Sequence, residues 1–210
     1  TLERARSAPA IDEVYVSTDS REIADASAAM GATVVWRPAE LCTDSSSSES
    51  GLIHCLDHIR ETTRSDPRLV VFLQPTSPLR SADHISAAIA HLEQENADSL
   101  FSTGPLQGLA WRVEADGVVP VSYHPQRRVP RQEAPEYLAE NGSIYVFKPW
   151  VLRDLHCRLG GRIVPFRMAA QDSFEVDEPD DIEIVDFLLR RRYPDLMHAT
   201  EGRAALMDNR

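Results

Sequence analysis

Two prolines and two hydroxyl side chains follow an apolar run in the stretch FLQPTSPLR, at positions 72–80. The prolines fix the backbone φ angle and remove N–H donors. The N–H and hydroxyl groups of Thr76 and Ser77, with the amide of Gln74, are then held in a preset geometry. Such a loop can read the edge of a base or a sugar. An ordinary strand-to-helix turn capped by Ser81 also favours prolines and hydroxyls, so both interpretations stand.

Two carboxylates alternate with apolar residues in FEVDEPDD, at positions 174–181. On an extended segment, Glu175 and Asp177 face the same side. Such a pair can hold Mg²⁺, which prefers oxygen ligands and keeps waters and substrate phosphates in its shell. The alternative is a polar strand face that leads into a helix start at Asp180 and Asp181.

Short apolar runs alternate with amphipathic helical patterns in the first half of the chain. The predicted strands are Val14–Ser17, Thr33–Trp36, Leu69–Leu73 and Ser99–Ser102. This order predicts an α/β fold with right-handed βαβ units on a mainly parallel sheet. Ligands bind beyond the carboxyl ends of strands in such sheets, and FLQPTSPLR follows one of those ends.

The serine-rich stretch TDSSSSES, at positions 43–50, is either a linker or the start of a helix. Ser46 and Glu49 have the spacing of a capping box, and apolar residues follow at helical intervals. Asp19 and Glu22 show the same spacing before an Ala-rich helix. We therefore predict a helix N-terminus after the serines, where N–H groups and hydroxyls can hold an anion.

The regular pattern breaks between residues 104 and 137, which predicts an excursion from the sheet as a small β subdomain or an arm. Strands return at Ile144–Phe147 and Ile163–Phe166. A helix from Asp180 to Arg192 follows, and it carries Ile182, Val185 and Leu189 on one face.

Length and charge limit the classes of function. The 210 residues suit a single α/β domain, and the net charge of −11 argues against a nucleic-acid partner. Three scattered cysteines without CxxC spacing predict reduced thiols in a cytoplasmic protein. The sequence shows neither a signal-peptide pattern nor an apolar stretch of membrane-spanning length, so we expect no membrane partner.

Taken together and in order, six segments resemble the CMP-sialic acid synthetases, or acylneuraminate cytidylyltransferases. They are VSTDSREIA (16–24), RPAELCTDSSSS (37–48), FLQPTSPLR (72–80), PRQEAP (130–135), ENGSIYVF (140–147) and SFEVDEPDD (173–181). LQPTSPLR followed by RQ and NG.IY is the most specific combination, and the acidic segment is the least specific.

The resemblance implies transfer of CMP from CTP to the anomeric hydroxyl of a nine-carbon α-keto acid sugar, with release of pyrophosphate. It implies a Rossmann-like nucleotidyltransferase with a small dimerisation subdomain or arm at about 104–140, acting as a homodimer with Mg²⁺. The implied nucleotide contacts are Arg37, Ser46, Ser48, Gln74, Pro75, Thr76 and Ser77. The implied acceptor contacts are Gln74, Arg131, Gln132, Asn141 and Tyr145. Gln74 and Arg131 would take part in catalysis, Arg131 by gripping the sugar carboxylate, and Glu175 and Asp177 would hold the metal.

The sequence departs from the family pattern at three places. The family opens with a strand and a Gly/Ser/Lys/Arg-rich loop around the triphosphate, whereas Thr1 resembles the start of the helix after that loop. We expect either that such a stretch precedes Thr1, or that the protein is a remnant unable to turn over CTP. Gln107 stands where the family often has a Lys beside the sugar carboxylate, and Glu175 replaces the usual Asp.

Two other functions therefore stay open. The protein can be a catalytically silent dimeric homologue that binds nucleotide or sugar. It can also be a cytidylyltransferase for another keto-sugar acid, such as an eight-carbon one.

Overall fold

The computed structural model describes residues 1–43, 45–106, 108–127, 129–130, 132–133 and 135–193. The strands are β1 (Tyr15–Thr18), β2 (Thr33–Trp36), β3 (Val70–Phe72), β4 (Ser99–Pro105), β5 (Trp111–Glu114), β6 (Gly117–Pro120), β7 (Leu138–Phe147) and β8 (Ile163–Arg167). The helices are α1 (Leu2–Ser7), α2 (Arg21–Ala29), α3 (Ser48–Thr63), α4 (Ala82–Gln94), α5 (Pro149–Leu155) and α6 (Pro179–Arg192), with 3₁₀ turns at Ala39–Leu41 and Ala170–Asp172. The predicted α/β class is confirmed.

The main sheet has four strands in the order β3-β7-β4-β8. Strands β3, β4 and β8 run in one direction, and β7 lies antiparallel between β3 and β4. A separate parallel pair is formed by β1 and β2. Within the described residues, no ladder joins this pair to the main sheet. The sheet is therefore mixed, with one antiparallel strand in its interior.

Helices cover both faces of the main sheet. On one face, α4 buries Ile85, Ala88 and Leu92 against Leu100 and Ile144. On the other face, α3 and α5 pack against the side chains of β7. That second cluster contains Leu56, Tyr145, Phe147, Val151 and Leu152. Because β7 contributes to both clusters through its alternating side chains, its position in the sheet is strongly specified.

Two helices begin one residue later than predicted. The cap of α2 is Ser20 rather than Asp19, and the cap of α3 is Ser47 rather than Ser46. Ser47 Oγ accepts from the backbone N–H of Ser50 at 3.2 Å. The carboxylate of Glu49 pairs with Arg158 at 2.7 Å, so it is engaged outside the predicted capping box.

Helix α6 packs through only part of the apolar face that its spacing predicts. Val185 is buried and Leu189 is half-buried, but Ile182 on the same face is 57% exposed. The helix rests on the domain mainly near Val185 and its last turn. There Arg192 donates to the backbone oxygen of Leu79 at 2.7 Å and pairs with Asp172.

The excursion between residues 104 and 137 contains an antiparallel hairpin of β5 and β6. Val113 and Val118 face each other across the hairpin and are 81% and 59% exposed. Trp111 packs edge-on against Tyr123 at 5.6 Å between ring centroids. Within the described part of the chain, no helix is both long and apolar enough to cross a bilayer.

Candidate active site

The segment after β3, residues 74–80, is a tight turn that a buried arginine holds in place, and we call it the corner. Ser77 N–H donates to the backbone oxygen of Gln74 at 3.3 Å, and the Ser77 side chain is buried. Arg80, 1% exposed, donates to the backbone oxygen of Ser143 at 2.7 Å and also to that of Gln74. The guanidinium therefore joins the corner to β7, which supports a structural role for Arg80. Pro75 and Thr76 stay exposed at the tip.

The acidic segment docks onto this corner. Val176 N–H donates to the backbone oxygen of Thr76 at 2.8 Å, and Ser77 Oγ donates to Glu175 Oε1 at 3.1 Å. Residues 174–178 form an irregular segment rather than a strand. The N–H groups of Asp177 and Glu178 donate to one carboxylate oxygen of Asp181, while the Asp177 residue is exposed. Glu175 thus faces the corner, and Asp177 lies at the start of α6.

A bulge in β7 completes the cluster. The pairing of β4 with β7 shifts by three residues, opposite Ser102. Ser102 Oγ accepts from Ile144 N–H at 2.7 Å and donates to the Asn141 side chain at 2.6 Å. Gly142 has a φ of +60° at this bulge, and a methyl group there would overlap the side-chain oxygens of Gln74 and Glu175. The bulge therefore presents bare backbone to both side chains.

The electrostatics of this cluster are set mainly by burial. Burial raises the pKa of Glu175 above its usual value, and the charge of Asp177 raises it further. The hydrogen bond from Ser77 and the charge of Arg80 act in the opposite direction. Burial also lowers the pKa of Arg80 to about 10. Because this value is still well above 7, the guanidinium is cationic at neutral pH. The site thus holds a buried cation that acts on Glu175.

A second polar site lies between the end of β2 and the start of α3. It is a cavity of about 240 Å³ whose lining includes Arg37, Ser46 and Ser48. Arg37 Nη2 donates to the backbone oxygen of Ser17 at 2.8 Å, and its Nε donates to Ser17 Oγ at 3.2 Å. Because Ser48 is the first residue of α3, the positive end of that helix points at the cavity. A cation, hydroxyls and N–H groups there can receive an anionic ligand.

A stacked aromatic pair lies beneath the corner. The rings of Phe72 and Tyr145 are 5.9 Å apart and inclined by 26°. The guanidinium of Arg158 lies 4.9 Å from the Tyr145 ring centroid and 5.1 Å from that of Phe72. The Tyr145 hydroxyl donates to Glu140. This layer therefore links β3, β7 and, through the Arg158–Glu49 ion pair, α3.

The predicted residues fall into three groups. Gln74, Ser77 and Glu175 come together at the corner, with Pro75 and Thr76 at its tip and Asp177 beyond it. Arg37, Ser46 and Ser48 share the cavity. Asn141 and Tyr145 are buried, and Gln132 is exposed. Arg131 and Gln107 lie outside the described residues, so their predicted roles stay predictions.

Sequence reasoning missed three residues of this region: Glu140, Gly142 as a steric element, and Arg158. The only signal in the sequence was the Asn141-Gly142 pair, which indicates a turn and has Glu140 directly before it. Nothing in the local sequence connects Arg158 to the two rings that it covers, Tyr145 and Phe72, which stand 13 and 86 positions earlier. Only the packing of α5 brings it there.

Comparisons with known proteins agree with this architecture. A family model described as cytidylyltransferase matches residues 1–147. The chain is 32% identical over 181 residues to N-acylneuraminate cytidylyltransferase A of Danio rerio, which covers 83% of this chain and 40% of that protein. It is 26% identical over 192 residues to the post-translational flagellin modification protein B of Campylobacter coli, covering 90% of this chain and 82% of that protein.

Solved structures show the same fold. A CMP:2-keto-3-deoxy-manno-octonic acid synthetase complexed with CTP superposes with a TM-score of 0.65 at 17% identity, covering 91% of this chain and 86% of the other. A 4-diphosphocytidyl-2C-methyl-D-erythritol synthase from Anaerococcus prevotii superposes with a TM-score of 0.62 at 13% identity, covering 90% of this chain and 84% of the other. The chain spans about 40% of the length of the N-acylneuraminate cytidylyltransferases of Danio rerio and Oncorhynchus mykiss. The family model covers most of this sequence and confirms the resemblance: the chain belongs to the cytidylyltransferase family.

Proposed function

We propose that the protein transfers CMP from CTP to a nine-carbon α-keto acid sugar, sialic acid or a related nonulosonic acid, and releases pyrophosphate. The observation that carries this proposal is the convergence of Gln74 and Glu175 on the bare backbone of Gly142. It brings a rigid polar corner, a carboxylate and a strand bulge to one place at the carboxyl end of β3. The N-acylneuraminate cytidylyltransferases among its relatives support the acceptor class. The flagellin modification relative supports widening that class to related acids.

The proposed step is a phosphoryl-group substitution. The anomeric oxygen of the acceptor forms a bond to the α-phosphorus of CTP, while the bond from that phosphorus to the bridging oxygen breaks. The electron pair of that bond leaves with pyrophosphate, and the proton of the attacking hydroxyl passes to solvent. Gln74 would orient the two substrates across the corner. Alignment and charge neutralisation, rather than covalent catalysis, are what the protein supplies.

Mg²⁺ fits the carboxylates near the corner. Glu175 offers a half-buried carboxylate held on one oxygen by Ser77, and Asp177 lies two residues further along. No group of three or more His, Cys, Asp or Glu side chains gathers in the described residues. Two carboxylates that leave room for waters and phosphates are typical of magnesium sites. When bound by Glu175 and Asp177, Mg²⁺ would neutralise developing phosphate charge.

The cavity beside α3 is the proposed place of the cytidine end of CTP. Arg37, Ser46 and Ser48 line it, and the helix N-terminus adds partial positive charge. Arg131 and Gln132 would contact the acceptor, and Arg131 would bind the carboxylate of the acceptor. We also propose a homodimer that forms through the excursion carrying the β5–β6 hairpin.

The test is to incubate the protein with CTP, Mg²⁺ and a panel of acids, and to measure pyrophosphate. The panel contains N-acetylneuraminic acid, other nine-carbon acids and an eight-carbon 2-keto-3-deoxy acid. Release with a nine-carbon acid only is the expected result. Release only with the eight-carbon acid would reassign the acceptor. Nucleotide binding in calorimetry without any release would indicate a silent homologue.

A further inference from the structure

Glu140 is an outward-facing carboxylate in the stretch ENGSIY. Its two neighbours with predicted acceptor roles are shielded, because Asn141 is 6% exposed and Tyr145 is 4% exposed. The Asn141 amide is occupied by Ser102 and by Ser173, to which it donates at 2.9 Å. Glu140, in contrast, is exposed. Of these three polar side chains, Glu140 is the one that a ligand can reach.

One carboxylate oxygen of Glu140 is held by a hydrogen bond from Tyr145. The Tyr145 hydroxyl donates to Oε1, and the Tyr145 ring, which belongs to β7, stacks on Phe72 of β3 and packs in the cluster with Leu56. Burial, followed by the hydrogen bond to Glu140, raises the pKa of Tyr145, so the hydroxyl stays protonated and keeps donating. Arg158 covers the ring at 4.9 Å and is itself held by Glu49 at 2.7 Å. The carboxylate therefore rests on an ordered support.

The other oxygen of Glu140 is the one that the described residues leave without a partner. Within the described residues, Oε2 has neither a hydrogen bond nor an ion pair. Glu140 stands two residues before Gly142, whose backbone touches Gln74 and Glu175. Its negative charge is felt at Glu175, where it contributes to the raised pKa. Glu140 is therefore near enough to act electrostatically on the corner where the acceptor is proposed to bind.

We propose that Glu140 is an acceptor-binding residue whose open oxygen accepts a hydrogen bond from a hydroxyl or amide N–H of the acceptor, and that Tyr145 and Arg158 are its positioning residues. This inference rests on the proposed function. A fixed carboxylate repels an anion, so the neutral, donor-bearing part of the sugar binds here and its own carboxylate lies elsewhere. The site therefore selects a polyhydroxylated or N-acylated acid.

The first test compares KM values for N-acetylneuraminic acid and CTP. Glu140→Gln should raise the acceptor KM by about tenfold, because a charge-assisted hydrogen bond is lost, and leave the CTP KM unchanged. The matched control is Glu95→Gln. Glu95 is an exposed residue that follows α4 and pairs with Arg162, so its substitution should change neither constant. An unchanged acceptor KM, or an equal rise in both constants, overturns the assignment of Glu140.

The positioning role is tested by double mutants. Tyr145→Phe keeps the ring and removes the hydroxyl, so it should raise the acceptor KM severalfold in the native protein. In a Glu140→Ala background it should have no further effect, and Arg158→Lys should behave in the same way. The same factor in both backgrounds would show a general structural effect and would overturn the positioning role.

Failure of the proposed function is distinguished by calorimetry with N-acetylneuraminic acid in the presence of CTP and Ca²⁺. Binding to the native protein that Glu140→Gln weakens by about tenfold supports the inference even if no pyrophosphate is released. Turnover by the native protein with equal acceptor binding by both proteins overturns the inference alone. Neither binding nor turnover overturns both proposals.

Discussion

Gly142 stands where a side chain would displace the two polar groups of the corner. Its positive φ and its contact with Gln74 and Glu175 have one common cause, the shift in register of β7 opposite Ser102. The residue acts by leaving space, since it brings backbone against groups that a methyl would push apart. At the residue scale, the site therefore depends on one glycine as much as on its carboxylates.

Gly142→Ala should lower kcat for pyrophosphate release by about a hundredfold, because displaced substrate-orienting groups lose alignment. It should also cost about 1–2 kcal/mol of unfolding free energy from the left-handed backbone. Steady-state kinetics and urea unfolding measure the two effects separately. Gly108→Ala is the matched control, since Gly108 has a φ of +95° with open space around it. Equal losses of activity in both variants would contradict the steric role of Gly142.

Asp177→Asn keeps the size of the side chain and removes its charge. If Asp177 shares Mg²⁺ with Glu175, kcat should fall by about a hundredfold while the melting temperature stays close to the native value. Its exposure makes a large effect on folding unexpected. Asp180→Asn, an exposed carboxylate in the first turn of α6, provides the control. Native activity for Asp177→Asn would remove this residue from the proposed metal site.

At the element scale, the sequence predicted local structure well and tertiary choices less well. The apolar runs at β3 and β4 and the helical spacing of α3 were sufficient to place those elements. The antiparallel direction of β7 depends on how it returns from the excursion, which no local pattern records. The apolar face of α6 is not buried at Ile182, because contacts of Val185 and Arg192 decide how the helix packs. The bulge of β7 depends on Ser102, some forty positions away.

Two adjacent serines at the start of α3 have different expected roles: Ser47 caps the helix, and Ser46 is a proposed ligand contact. Ser47→Ala should cost about 1 kcal/mol of unfolding free energy through loss of the cap, with little change in the CTP KM. Ser46→Ala should raise the CTP KM with little loss of unfolding free energy. Both serines line the cavity, but Ser47 Oγ is engaged as the helix cap, whereas the Ser46 hydroxyl bonds only with the loop before the helix. Urea unfolding and steady-state kinetics on both variants form a mutual control. A rise in the CTP KM for Ser47→Ala alone would contradict the division.

At the scale of the molecule, the mixed sheet gathers segments that are far apart in sequence. The corner at 74–80, the bulge at 141–144 and the acidic segment at 174–178 meet because β7 lies beside β3 and the chain returns from β8 to α6. The excursion leaves this body as a hairpin whose valines are exposed. A two-stranded hairpin is marginally stable alone, so a further surface against it would stabilise it.

Val113→Lys should weaken the proposed homodimer. Burial of a valine side chain is worth about 1.5 kcal/mol or more, so the dimer dissociation constant should rise by at least about tenfold. Sedimentation velocity over a range of protein concentrations measures it. Leu155→Lys, at an exposed position 49% accessible at the end of α5, is the control. A native protein that stays monomeric at high concentration would contradict the dimer itself.

The separation of β1 and β2 from the main sheet divides the protein into regions of unequal cooperativity. Helix α2 contacts both of these strands, and α3 contacts β1, but in the part of the chain that the structure describes no shared ladder transmits the stability of the four-stranded sheet to them. Their amides should therefore exchange with deuterium sooner than those of β4 and β7. Arg37 and Ser48 lie where the two regions meet, so CTP binding there would slow exchange in β1 and β2 preferentially. Exchange followed by mass spectrometry, with and without CTP, measures this coupling, and uniform protection of both regions would exclude it.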